Sequence, residues 1–197
     1  MCANTRSDSV PSMRIEIIDD TEGPPQALAF PPGENYVDLR ENPHALERIA
    51  PVRQYLPLRN FLTAVNSPGS VFTSATVATE CHSPADASTG GVCEFGSQAT
   101  LVFAVPSLNF DRGQYTELTA NLKELLERDS GEAVRGVLRV SSCNFPEQNR
   151  RGFCLGIRLV ARGDSAKQAE LRWGLGLARV QQALLFRARA LGQQIGA

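Results

Sequence analysis

Six arginines and two cysteines are gathered in one short stretch of this 197-residue chain, Val134 to Gly163. Two β-patterned runs, Val134 to Phe145 and Gly152 to Arg162, flank a polar loop that holds Arg150 and Arg151. This is the pattern of a hairpin. Alternation puts Arg135, Arg139 and Cys143 on one face of the first run, and Cys154, Arg158 and Arg162 on one face of the second. Val134, Leu138, Val140, Phe153, Leu155, Ile157 and Leu159 take the opposite face, which belongs to a core. The arginines therefore point away from the core. Guanidinium forks bind carboxylate and phosphate groups in bidentate geometry, so the chemistry on offer is anion binding. With Cys143 opposite Cys154, Arg139 opposes Arg158 and Arg135 opposes Arg162. Like charges so placed repel, and a compensating anion is expected: a ligand, a partner, or this chain's own Asp19, Asp20 and Glu22.

The cysteines are the second candidate group. Cys81 and Cys93 frame an earlier Ser/Pro/Gly-rich loop as Cys143 and Cys154 frame the later one. Both stretches read Cys-x-x-Pro, polar loop, Gly-apolar-Cys, which predicts an internal duplication. The four are redox candidates, as cross-strand disulfides or as buried thiols. Gaps of eleven and ten residues lack the short Cys-x-x-Cys knuckle of a zinc site, so no metal site is expected. Cys81 and His82 are neighbours in a strand and point to opposite faces, which removes the simplest thiol–imidazole pair. No phosphate-binding glycine loop, His-Glu-x-x-His or Gly-x-Ser-x-Gly occurs. Catalytic residues stay unassigned and no cofactor is expected.

These residues need elements to hold them. Residues 1–12 read as a disordered tail. Met13 to Asp19 is a short strand. Asp20 to Glu41, broken by Gly23-Pro24-Pro25 and Pro31-Pro32-Gly33, wraps the surface. Asn42-Pro43 starts a helix that Pro51 stops, and a second helical piece starts near Pro57. Val71 to Cys81 and Cys93 to Val105 form the first hairpin. A helix from Gln114 to Asp129 carries the stripe Tyr115, Leu118, Leu122, Leu125 and Leu126. The second hairpin follows. Last comes a helix from Ser165 to about Gln193, opened by the capping box Ser165-Ala-Lys-Gln168. Gly174 and Gly176 inside it predict close contact with a neighbouring element. By element order alone the chain resembles type III secretion chaperones, which implies an adaptor or chaperone-like role.

The expected fold is α+β: one domain over 13–197, with an antiparallel sheet of about five strands and helices on one face. Its pseudo-repeat covers about 43–105 and 114–163, and the helix 165–193 closes it. Net charge is −1, yet residues 1–130 carry 9 Lys+Arg against 17 Asp+Glu, and residues 131–197 carry 11 against 4. This asymmetry fits an anionic partner or docking of the two parts on each other. The polar start and the lack of long apolar runs point to a cytoplasmic protein with no membrane span. Nucleic acid is disfavoured, since neither stacking aromatics nor a basic net charge is present. The leading expectation is a non-enzymatic binding or assembly protein, homodimeric or bound to a protein partner. The alternative is an enzyme or ligand-binding domain that holds an anionic small molecule in the cleft between repeats.

Overall fold

The computed structural model describes residues 13–26, 28, 39–82, 92–127, 133–145 and 148–195, with the backbone alone at 80–82 and 191–195. The tail expected over 1–12 lies outside them. The strands are β1 (Met13–Asp20), β2 (Phe72–His82), β3 (Cys93–Phe103), β4 (Val134–Phe145) and β5 (Arg150–Gly163). The helices are α1 (Ala50–Gln54), α2 (Leu56–Val65), α3 (Arg112–Leu126) and α4 (Ala166–Ile195), with 3-10 turns at Pro43–Arg48 and Pro106–Phe110. Pro51 does not stop a helix; it sits in the first turn of α1, where its missing N–H is not needed.

The strands form one sheet in the order β1-β4-β5-β3-β2. The fold is α+β, but the sheet is mixed, which corrects the expectation of an antiparallel one. β1 lies parallel to β4, from Met13 beside Val134 to Asp20 beside Ser141. The reason is connectivity. The hairpins must be antiparallel because their turns are short, whereas β1 reaches β4 only after the helices and the first hairpin, long enough for a parallel crossover. As the sheet's edge, β1 also needs protection. Both backbone groups of Ile15 are met by side chains from the end of α3: its N–H donates to Oε1 of Glu127, the C-cap, at 2.8 Å, and its carbonyl accepts from Lys123 Nζ at 2.9 Å. These bonds block further strand pairing there.

One face of the sheet is covered by the helices. Val134, Leu138, Val140, Leu155, Ile157 and Leu159 are buried on it. Helix α4 packs over β3 and β5 and touches α2 and α3 on either side. Its Trp173 is fully buried, edge-on to Tyr55 at 5.9 Å, tilted on Phe95 at 4.8 Å, and donates from Nε1 to Ser97 Oγ at 2.9 Å. The glycines of α4 do bring neighbours close. A Cβ at Gly174 would meet Pro57 Cγ at 3.0 Å, and one at Gly176 would meet Val134 Cγ1 at 3.0 Å and Met13 Cε at 3.3 Å. The capping box forms in part: Ser165 Oγ accepts from the Gln168 N–H at 3.2 Å, while Gln168 Oε1 reaches past it to the Asp164 N–H at 2.7 Å.

Two buried asparagines fix the ends of the first hairpin. Asn66, after α2, accepts from the Ser74 N–H at 2.9 Å and the Thr73 hydroxyl at 3.0 Å, and donates to Leu62 O at 2.7 Å and Ser74 Oγ at 2.9 Å. Asn109 pairs with both backbone groups of Phe103 at 2.8 Å and accepts from the Tyr115 hydroxyl at 2.6 Å. Asn109→Ala strands these partners in the core. It is expected to cost about 2 kcal/mol or more, since each buried unsatisfied group costs about 1–3 kcal/mol. Urea unfolding of the two chains measures it; a loss below half of that would show that water replaces the amide.

Candidate functional site

The open face of the sheet is built by five strands whose residues alternate with the core set. Arg135, Arg139, Arg158 and Arg162 all lie on it, as parity predicts, joined by Arg14 and Glu16 from β1, and by Glu94 and Gln98 from β3. Their pairing differs from expectation. Cys143 stands opposite Gly152, not Cys154, and Cys154 stands opposite Ser141. Arg139 therefore faces Gly156, Arg135 faces Val160, and Arg158 faces Val137. On its β3 side Arg162 faces Glu94. The expected opposition of Arg139 with Arg158 and of Arg135 with Arg162 is not formed.

The cause is the loop and what packs on it. Phe145 pairs with Arg150, and Asn149 takes a left-handed φ of 47° in the short connection. A Cβ at Gly152 would lie 2.6 Å from Asn109 O and 2.8 Å from the Phe145 ring, so this position admits only glycine. The register shifts by two residues relative to the cysteine-to-cysteine alignment. Because strand faces repeat every two residues, such a shift preserves the face of every side chain and changes only its cross-strand partner.

The arginines are staggered and partly compensated. Arg139 Nη1 lies 3.1 Å from Asp20 Oδ2, and Arg162 Nε lies 2.6 Å from Glu94 Oε1. Arg14, Arg135 and Arg158 also have interaction partners. Of the acids expected to cover the face, Asp20 does so. Asp19 instead pairs with Arg112, whose guanidinium, followed by the Thr21 hydroxyl, holds its carboxyl below the usual aspartate value. One strand-to-strand neighbour pair is like-charged: Arg14 lies beside Arg135. Arg14 could be read from the polar positions of β1, but its neighbour could not.

At the far end of the same face the thiols are sealed. After β1 the chain bends at Thr21–Gly23 and returns to the edge of β4, where Gln26 bridges Cys143. Arg151 holds the bend through Thr21 O at 3.2 Å, Gly23 O at 3.1 Å and Ser142 Oγ at 2.9 Å. Val102, Cys143 and Cys154 form a small second core, with Leu28 and Phe145 packed on it. Cys154 Sγ contacts Ser141 O at 3.6 Å. Cys143 and Cys154 are free thiols, and the bond to Cys154 followed by burial pushes Cys143 far above a normal thiol. Cys93, also free, belongs to the helix-covered side with Phe95, so the cysteines of the two hairpins do not occupy equivalent faces. The Cys81 and His82 side chains lie outside the described residues. Among those described, no group of three or more His, Cys, Asp or Glu side chains converges on a point.

The proposed cleft between repeats falls on a seam that is closed: β3 and β5 are paired from Cys93 beside Gly163 to Leu101 beside Leu155. An open pocket of about 630 Å³ lies elsewhere, lined by Thr21, Glu22, Phe110, Arg112, Arg151 and Phe153. Arg150 stacks over the Phe110 ring at 4.0 Å beside it. No pattern in the sequence signals this pocket, because its lining comes from three separate segments. No protein-family model, curated protein or solved structure matches this chain. Among the described residues, no helix is long and apolar enough to cross a membrane.

Cys143 carries a pH prediction. Burial also raises the Tyr115 phenol well above its normal value, with Cys154 adding to the effect. Both groups keep their protons more tightly in the folded chain than in the unfolded one. Their contribution to stability is full below the ordinary values of 9.0 for cysteine and 10.0 for tyrosine, and is lost as pH rises past them. The melting temperature is expected to fall above about pH 9, and less steeply in Cys143→Ala. A melting temperature that stays flat to pH 11 would contradict the burial of these groups.

Proposed function

We propose that the protein is a non-enzymatic binding protein, adaptor- or chaperone-like, which takes an extended acidic protein segment across the open sheet face. The observation that carries this reading is the stagger of Arg135, Arg158 and Arg139 on two adjacent strands, flanked by Arg14 and Arg162. Gly156 stands between Arg139 and Arg158, and beside the arginines, on β3 and β2, lie the small residues Gly96, Thr100, Ala78 and Thr76, so a chain can lie flat along the face. Partner carboxylates would exchange with the chain's own Asp20 and Glu94, which already sit on Arg139 and Arg162. Those acids, with Glu16, interrupt the positive surface and disfavour a continuous phosphate backbone such as nucleic acid. In the same reading the protein acts in the cytoplasm, and its two hairpins are diverged copies of one helix–hairpin unit. The order β4-β5-β3-β2, with the second strand of each hairpin innermost, supports that descent.

A second reading rests on the pocket. Phe110 and Phe153 offer apolar walls and Arg112 a guanidinium at its rim, which suits a small anionic ligand.

Titrating a fluorescently labelled acidic peptide, and inorganic phosphate by heat release, separates the two. For the sheet face, the peptide is expected to bind in a salt-sensitive manner, and Arg135→Gln with Arg158→Gln to weaken it by about tenfold or more, with Arg112→Gln without effect. The opposite pattern, with phosphate bound, would favour the pocket. Peptide binding that ignores both salt and the arginine changes would sink the sheet-face reading.

A further inference from the structure

The arginines of β4 and β5 stand at regular steps along the open face. Arg135 is level with Val160, Arg158 with Val137 and Arg139 with Gly156. Arg162 lies two residues beyond Val160 on β5, and its N–H donates to Ala133 O, two residues before Arg135 on β4. In the order Arg162, Arg135, Arg158, Arg139 the four therefore alternate between β5 and β4, and each step is two residues long. Two residues of an antiparallel strand rise about 6.8 Å, so the series spans about 20 Å. Adjacent strands lie about 4.8 Å apart, so each arginine needs to lean only about 2.4 Å sideways to reach a line midway between them.

We propose that this series is a ruler for carboxylates: it takes an extended peptide segment with an acid at every second position, four acids within seven residues. The proposal rests on the sheet-face reading above and adds the spacing that the partner must have. An extended chain turns alternate side chains to the same side, with the same rise of about 6.8 Å per two residues. Laid along β4 and β5, such a chain brings one carboxylate to each arginine in turn, where a guanidinium fork can hold it. A block of consecutive acids points half of them away from the sheet and does not keep step.

The other charges of the face set how acidic the segment must be. Arg14 stands beside Arg135 and adds a second guanidinium at that level. Glu16 is level with Arg158 but separated from it by Val137. The two ends carry the chain's own acids: Glu94 Oε1 lies 2.6 Å from Arg162 Nε, and Asp20 Oδ2 lies 3.1 Å from Arg139 Nη1. Each of these contacts uses one nitrogen, and a guanidinium has five N–H donors, so an end arginine can hold a second carboxylate without releasing the first. Asp20 and Glu94 also repel incoming acids, so a segment must engage all four levels to bind well. Among the described residues, the face between the Arg162 and Arg139 levels carries no aromatic side chain. Single-stranded nucleic acid relies on base stacking, so this favours a peptide over a phosphodiester chain.

Fluorescence anisotropy with labelled peptides of one composition, four aspartates and four serines, tests the spacing. The peptide in which Asp and Ser alternate is expected to bind at least about fivefold more tightly at low salt than the one with four consecutive aspartates. Arg139→Gln with Arg162→Gln is expected to weaken the alternating peptide about tenfold and to remove most of its advantage, while Asp20→Asn with Glu94→Gln tightens it about threefold. Equal binding of the two peptides, lost in Arg135→Gln with Arg158→Gln, overturns the spacing rule and leaves the sheet-face reading intact. Binding that this last double change does not weaken sinks both. An alternating peptide unaffected by Arg139→Gln with Arg162→Gln shows that the ends take no part, which also overturns the four-level series. Oligothymidylate bound more tightly than either peptide through the same arginines assigns the series to a phosphate chain and overturns the proposal as well.

Discussion

The docking of α4 on the ladder between β3 and β5 is the contact on which the rest depends. Trp173 reaches through the helix layer to Ser97, and the same helix rests on α2 at Gly174 and on β1 and β4 at Gly176. Each hairpin alone has an apolar face that nothing local can cover. α4 covers both at once and brings in the edge strand β1, so the two halves of the chain share one core. The small residues matter because a side chain at either glycine would push the helix off its neighbours. Large apolar side chains then fill the space between, where dense packing gives stability.

Placing the helices on one side leaves the other side to carry polar chemistry. The sheet divides that side into two regions with different physics. At one end the returning segment with Gln26 and Leu28 covers Cys143 and Cys154 and removes them from water. At the other end arginines alternate with small residues and acids, and remain half-exposed. Exposed ion pairs of this kind contribute little to folding, with measured values near 0–1 kcal/mol. Stability therefore does not account for their presence on adjacent strands. The buried thiols have the opposite character: both are packed away from water, and the bond to Cys154 followed by burial holds the proton on Cys143.

Edge control follows the same economy. β1 is blocked where Lys123 and Glu127 occupy Ile15, and its other side is paired with β4. α3 thus serves two ends, an apolar stripe toward the core and a polar clamp on a strand edge. α4 likewise has two sides, but its second side carries leucine and phenylalanine where solvated helices carry charge.

Periodicity in the sequence determined the strands, the long helices and the face of each arginine, because those follow from local repeats of two and 3.6 residues. Gly174 and Gly176 signalled close packing for a similar local reason: glycine in a helix interior carries a conformational cost that contact must offset. Tertiary structure alone decided the partners. The direction of β1, the stagger of Arg139 against Gly156, the ion pair of Arg162 with Glu94 and the gathering of Phe110, Arg112, Arg151 and Phe153 around one pocket all join residues distant in the chain. The register of the second hairpin shows the division most clearly. A shift of two residues leaves every face as the sequence implied it, yet replaces every neighbour. What selected it was the carbonyl of Asn109 and the ring of Phe145 closing over Gly152, an arrangement that exists only once the chain has folded.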